Sequence, residues 1–190
     1  MPRFSYTAPM VEHKHPPKLE IRQAADASRQ LSGQHVLSDF ERLMTETRGL
    51  GGDNPLTWAA QAERRVDEAG QPQCWLQLTV AVDLPLSCQR CLGIVDVEVR
   101  VDRVFRFVAS EAEAEQQDDG SDEDLLVMSR EFDLAGLIED EVLLALPLVP
   151  RHEVCPVAPA LTAVDADFEA TPVKRNPFAA LAGLKDKNQG

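Results

Sequence analysis

The sequence predicts an α+β domain: an antiparallel β-sheet, built as a meander with a Cys-x-x-Cys hairpin, packed with two main helices and carried between flexible termini. Three observations predict it. Residues on both sides of Cys88-Gln89-Arg90-Cys91 alternate apolar and polar side chains, a capped apolar helical stretch follows at 133–146, and both ends of the chain are rich in proline and charge but poor in aliphatic bulk.

The hairpin is the clearest element. Leu76, Leu78, Val80, Val82 and Leu84 share one face of the entering strand, and Val95, Val97, Val99 and Val101 alternate with Asp96, Glu98, Arg100 and Asp102 on the leaving one. That period of two is what a half-buried strand requires. Arg103 falls on the face of the valines and of Phe105 and Phe107; a bulge that shifts the register, or an edge that lets the guanidinium reach water, would each explain it. Leu56 to Val66 reads as a preceding strand, weakened by its alanines, and the turn from Asp67 to Pro72 joins it to the hairpin.

Residues 1–35, with Pro2, Pro9, Pro16 and Pro17, are expected to form an extended arm with one short paired segment. The domain proper is expected over 36–150. Ser38-Asp39-Phe40-Glu41 has the form of a capping box, and Phe40, Leu43 and Met44 followed by Gly49 predict a helix of about three turns. Residues 110–124 hold eight acids and no base, so a mobile, disordered acidic loop is expected there. Leu125 to Val127 should be a short strand. Asp133 is a good N-cap, and Leu134, Leu137, Ile138, Val142 and Ala145 line one face until Pro147 stops the helix. Residues 151–190 read as a flexible tail ending in a short amphipathic helix over 176–185, with Asn176 as cap, Pro177 at the first helical position and Phe178, Leu181 and Leu184 as an apolar stripe. On a tether, that stripe suggests docking to a partner.

Charge narrows the function. The 190 residues carry 19 Lys plus Arg against 32 Asp plus Glu, a net charge of −13, so nothing draws the whole chain toward nucleic acid. Any RNA contact must be local or indirect. The longest apolar run, Val142 to Val149, is far short of the about 20 residues that span a bilayer, and the N-terminus lacks the features of a signal peptide. A cytoplasmic protein is expected, in which four cysteines are core residues, metal ligands or reactive thiols rather than a disulfide framework.

Cys88 and Cys91 have the spacing of a zinc knuckle, and His152 and Cys155 offer the second ligand pair, brought back to the hairpin tip by the helix that runs into Pro147. The gap of some sixty residues between the pairs is long for a zinc finger. The alternative is two reduced thiols in a tight turn with His152 exposed. A thioredoxin-like role fits poorly, because that motif opens a helix in a βαβ unit. Arg90, Arg100, Arg103 and Arg106 are the concentrated cations of the middle of the chain, and Arg90, Arg100 and Arg106 are candidate contacts for RNA phosphates or a partner. Solvated charge balancing Asp96, Glu98 and Asp102 is the plainer reading. Glu139, Asp140 and Glu141 point around a helix and cannot converge on one atom, so solvent is their expected neighbour, with a basic partner as the alternative. No catalytic triad, phosphate-binding glycine loop or His-Glu-x-x-His pattern is present, which argues against an enzyme and against a small-molecule substrate.

Four features in one order carry a resemblance. Leu-x-Cys-Gln-Arg-Cys between strands, the acidic stretch, Glu139 to Pro150, and the terminal Asn-Pro-Phe-Ala-x-Leu-x-x-Leu-Lys together resemble the YceD family of large ribosomal RNA subunit accumulation proteins over roughly residues 30–187. The resemblance implies a cytosolic factor for synthesis, processing or stability of 23S ribosomal RNA, without established catalytic activity. It also implies partners among precursor large-subunit components, 23S rRNA or a basic ribosomal protein. Two other classes stand beside it: a zinc-stabilised protein-interaction module and a thiol redox sensor.

Overall fold

Alternation along the chain becomes a five-stranded sheet in the order β2-β3-β4-β5-β6. The computed structural model describes residues 16–67 and 69–158. In chain order the elements are β1 (Lys18–Leu19), α1 (Ile21–Asp26), β2 (Gln30–Val36), α2 (Glu41–Glu46), β3 (Pro55–Val66), β4 (Pro72–Ser87), β5 (Ile94–Val108), α3 (Glu111–Gln117), β6 (Asp124–Val127), β7 (Phe132–Asp133) and α4 (Leu134–Leu144). β1 and β7 form a separate two-stranded pair.

β4 and β5 are the longest strands and pair antiparallel without a break from Cys74↔Phe107 to Ser87↔Ile94, with residues 88–93 crossing between them. Leu76, Leu78, Val80, Val82 and Leu84 turn into the core as their alternation requires. The alanines that weaken the sequence signal of β3 have a packing reason: Ala60 and Ala62 are buried, and α1, with buried Ala24 and Ala25, packs on β3 and β4 where small side chains permit a close approach. α4, capped by Asp133 through Gly136 N–H at 3.0 Å, lays Leu134, Leu137, Ile138 and Val142 on the same core.

Several expectations need correction. The sheet is not wholly antiparallel, because β6 pairs parallel to β5. A parallel neighbour needs a crossover of a dozen or more residues, and the acidic segment supplies it. That segment is not a bare loop. Ser110 accepts from Glu113 N–H at 3.3 Å as the cap of α3, Glu113 accepts from Ala109 N–H at 3.0 Å and from Gln117 at 3.0 Å, and acids in the first turn suit the helix dipole. The described part of the N-terminal arm, residues 16–35, is likewise more ordered than expected, since α1 and most of the edge strand β2 lie within it.

α2 is shorter than expected, and the Ser38 capping box is not used. Phe40 takes the cap position with no side-chain bond, and the helix start is satisfied from a distance: Glu139 of α4 accepts from Arg42 N–H at 2.7 Å and Leu43 N–H at 3.3 Å. The same carboxylate pairs with the Arg42 guanidinium at 2.8 Å, whose other arm reaches Asp140 at 2.5 Å. The acids of α4 are therefore not simply solvated. Glu141 is 8% exposed; burial pushes its carboxyl above the usual carboxylate range, against the opposing pull of Arg103 at 3.7 Å. Arg103 itself needs no bulge, because the β4–β5 register runs straight through Leu78↔Arg103. It lies just past the last β6 pairing, Phe105↔Asp124, and its guanidinium meets Asp124 and Glu141 there.

Candidate metal centre

The turn between β4 and β5 closes on itself before it meets anything else. Cys88 N–H donates to Gly93 O at 2.8 Å and Leu92 N–H to Cys88 O at 2.9 Å, with Leu92 in the left-handed region at φ 60°. This curl carries Cys88, which is fully buried, and Cys91, which is half-buried, to one side of the turn.

The chain returns after α4, ending that helix at Leu144 and passing Pro147 and Pro150. Gln89 N–H donates to Pro150 O at 2.8 Å, and this bond sets residues 151–155 against the turn. His152 Nδ1 lies 3.5 Å from Cys91 Sγ, Cys155 Sγ lies 3.9 Å from Cys88 Sγ, and the four ligand atoms all fall within 4.8 Å of one another. Bonds of about 2.3 Å to sulfur and about 2.0 Å to nitrogen in a tetrahedron place its corners roughly 3.5–3.8 Å apart. The Cys3His set fits a single metal ion of that kind.

The surroundings favour the same chemistry. The 2.8 Å contact from His152 Nε2 to Ile94 O makes Nε2 an N–H donor and turns Nδ1 toward the thiols. Burial pushes the Cys88 thiol up, but backbone hydrogen bonds from Cys91, His152 and Arg90 together with the His152 side chain outweigh it and leave Cys88 lowered to about 5. Cys91 moves the other way: the Gly93 backbone pulls it down, while burial and the neighbouring Cys155 and Cys88 raise it. Three thiols in one small volume cannot all ionise cheaply without a cation among them.

Arg90 supplies one cation from the side. Its Nε donates to Cys155 Sγ at 3.0 Å and its Nη2 to His152 O at 2.8 Å and Glu153 O at 3.0 Å. The guanidinium is thus committed to holding the returning segment rather than turned outward to phosphates. Arg106 is also inward: it is 8% exposed and bonds Gln117 Oε1 at 2.7 Å and Ser121 Oγ at 2.5 Å, clamping α3 to β5. Arg100 is exposed and pairs with Glu98 on the same strand face. The expected arginine patch is dispersed into three separate roles. Phe178, Leu181 and Leu184 lie outside the described residues. The clamp by Arg90 and the carbonyl of Ile94 escape sequence reading, because neither residue type carries a metal signal; only their nearness to the Cys-x-x-Cys turn hints at them.

Among the described residues no helix is long and apolar enough to cross a membrane. Residues 76–185 match the family described as large ribosomal RNA subunit accumulation protein YceD, a span that contains all four ligand positions. The Haemophilus influenzae protein of that name is 30% identical over 173 residues, covering 89% of this chain and 96% of the relative. No solved structure matches the chain.

Proposed function

The chain belongs to the YceD family, and from that premise we propose that it acts by binding, without catalysis, as an accessory factor for 23S ribosomal RNA accumulation in large-subunit assembly. The observation that carries the reading is the family match over residues 76–185, supported by the near full-length likeness to the Haemophilus protein. In this reading Cys88, Cys91, His152 and Cys155 hold one zinc ion. Four protein ligands make a closed site, so the ion would supply folding energy to the tip rather than an open position for substrate. Arg90 offsets the single net negative charge of three thiolates around a divalent ion.

The binding partner belongs to the precursor large subunit, in the cytoplasm. Its chemistry is more readily that of a basic ribosomal protein than of RNA, because the chain carries a net charge of −13, Arg90 and Arg106 are occupied internally, and α3 presents acids to solvent. The tail from 151 onward adds a second contact through Phe178, Leu181 and Leu184. A thiol redox role is disfavoured, since Cys88-x-x-Cys91 sits between antiparallel strands and not at a helix start.

The test is sedimentation of tagged protein through a sucrose gradient, with native mass spectrometry of the purified chain. Travel with precursor large-subunit particles and one zinc per chain are expected. Protein that stays at the top of the gradient at low salt overturns the assembly reading, and metal-free native protein with unchanged tip exchange overturns the zinc.

A further inference from the structure

β5 is an interior strand over only part of its length. β6 covers Phe105 to Val108, and at the other end His152 Nε2 reaches Ile94 O. Between them, on the side away from β4, no described strand pairs with the ten residues from Val95 to Val104. The opening is about 33 Å long at the usual strand rise, in line with β6 and walled at one end by the Cys3His turn. Unpaired edges of this length are templates for another strand.

Its charge says which strand. Asp96, Glu98, Arg100 and Asp102 are all exposed along the opening, and Arg100 is already paired with Glu98, which leaves Asp96 and Asp102 as net negative charge. A second copy of the chain would bring like charge to this edge from a body of net −13, and RNA offers phosphates and no strand of backbone amides. We propose that the open edge of β5 accepts an extended lysine- or arginine-rich segment of a protein partner, which adds as a strand between His152 and β6. The inference rests on the binding reading above and gives it a place: main-chain bonds to β5 provide affinity, and basic side chains opposite Asp96, Glu98 and Asp102 provide selection.

The probe is a twelve-residue peptide alternating Lys and Thr, with a form N-methylated at alternate amides and a form with Glu in place of Lys. Hydrogen exchange should show protection of amides within 95–104 by the Lys peptide and not by the other two. The variant Asp96→Lys, Glu98→Lys, Asp102→Lys should bind the Lys peptide roughly tenfold more weakly, as a few reversed cross-strand pairs imply. A control with the same charge change on α3 and the turn after it, Glu111→Lys, Glu115→Lys and Asp119→Lys, should lose less than about threefold, because its charges act only through screened distance. Equal loss in both variants, or equal binding of the methylated peptide, overturns strand addition and leaves general charge attraction. Protection of the same amides in free protein at higher concentration, or by a 23S RNA fragment, overturns the choice of partner. Should the edge variant travel with precursor particles as fully as the parent, the edge proposal falls while the family role stands. Exchange on the unmodified protein decides the matter even if that variant fails to fold.

Discussion

The middle and the tip of the β4–β5 ribbon are held by different physics. In its middle, Leu76 and Leu78 are fully buried and Val80 nearly so, under α1 and α4; that burial is non-directional and contributes roughly 1.5–3 kcal/mol for each such side chain. At the tip, the three bonds of Arg90 and the Gln89–Pro150 backbone bond hold residues 88–93 to residues 150–155, beside four candidate ligand atoms within 4.8 Å of one another. Apolar burial tolerates small displacements, whereas a tetrahedral set fails when one member is missing. The contrast separates a part that makes the domain stable from a part that makes one surface well defined.

Leu78→Ala strikes the first part and should have the largest effect. A loss of about 2–5 kcal/mol is expected, read as a lower urea midpoint, with the zinc proposed at the tip retained by the folded protein. A loss below about 1 kcal/mol would show that the middle of the ribbon repacks freely. On the zinc reading proposed above, chelation strikes the second. Exchange should accelerate at residues 88–93 and 150–157 while the β3–β4 amides keep their protection, and the global loss should approach about 2.7 kcal/mol when zinc had stood at a hundred times its dissociation constant. Uniform acceleration would merge the two regions into one cooperative unit.

Smaller changes sharpen the boundary. Glu139→Ala removes the remote cap of α2 and should cost about 1 kcal/mol, as caps do, with the effect largely absent when Arg42 is already replaced by Pro and its N–H is gone. Full additivity would mean that the carboxylate acts elsewhere. Glu141→Gln should have the smallest effect and the opposite sign. Because burial raises the folded carboxyl above its unfolded value, its favourable contribution is complete below the unfolded pKa and fades as pH rises. The variant should therefore melt slightly higher than the parent near pH 7, and the gain should vanish below about pH 4. A gain that persists in acid would place its cause outside titration.

The elements that were legible in the sequence are those whose signal is local. Period-two alternation located β4 and β5, Asp133 marked the start of α4, and ligand spacing paired Cys88 and Cys91 with His152 and Cys155, which the fold brings together. What stayed hidden depends on distant partners. Nothing near Phe40 announces a cap from residue 139, and alanines give no hint that Ala60 and Ala62 receive a helix. Net charge alone hides the order of the acidic stretch, although Ser110, Glu113 and Gln117 hold a helix start and an i,i+4 pair. Arg106 illustrates the converse. On a strand it looks like a free cation, and only the crossover that folds back over β5 buries it.

The cap that Glu139 provides reaches across 97 residues to Arg42, and β1 finds its partner only at β7. Both joints carry a high sequence separation, so their closure entropy must be met before they return any bond. During synthesis, α2 leaves the ribosome long before its cap exists, and the N-terminal segment waits for residues 132–139 to emerge. The β3–β4–β5 meander, whose connections are short, can assemble meanwhile as the early nucleus. The domain accordingly seals last at the seam between its two ends, which makes that seam the place where an unfinished chain is exposed longest.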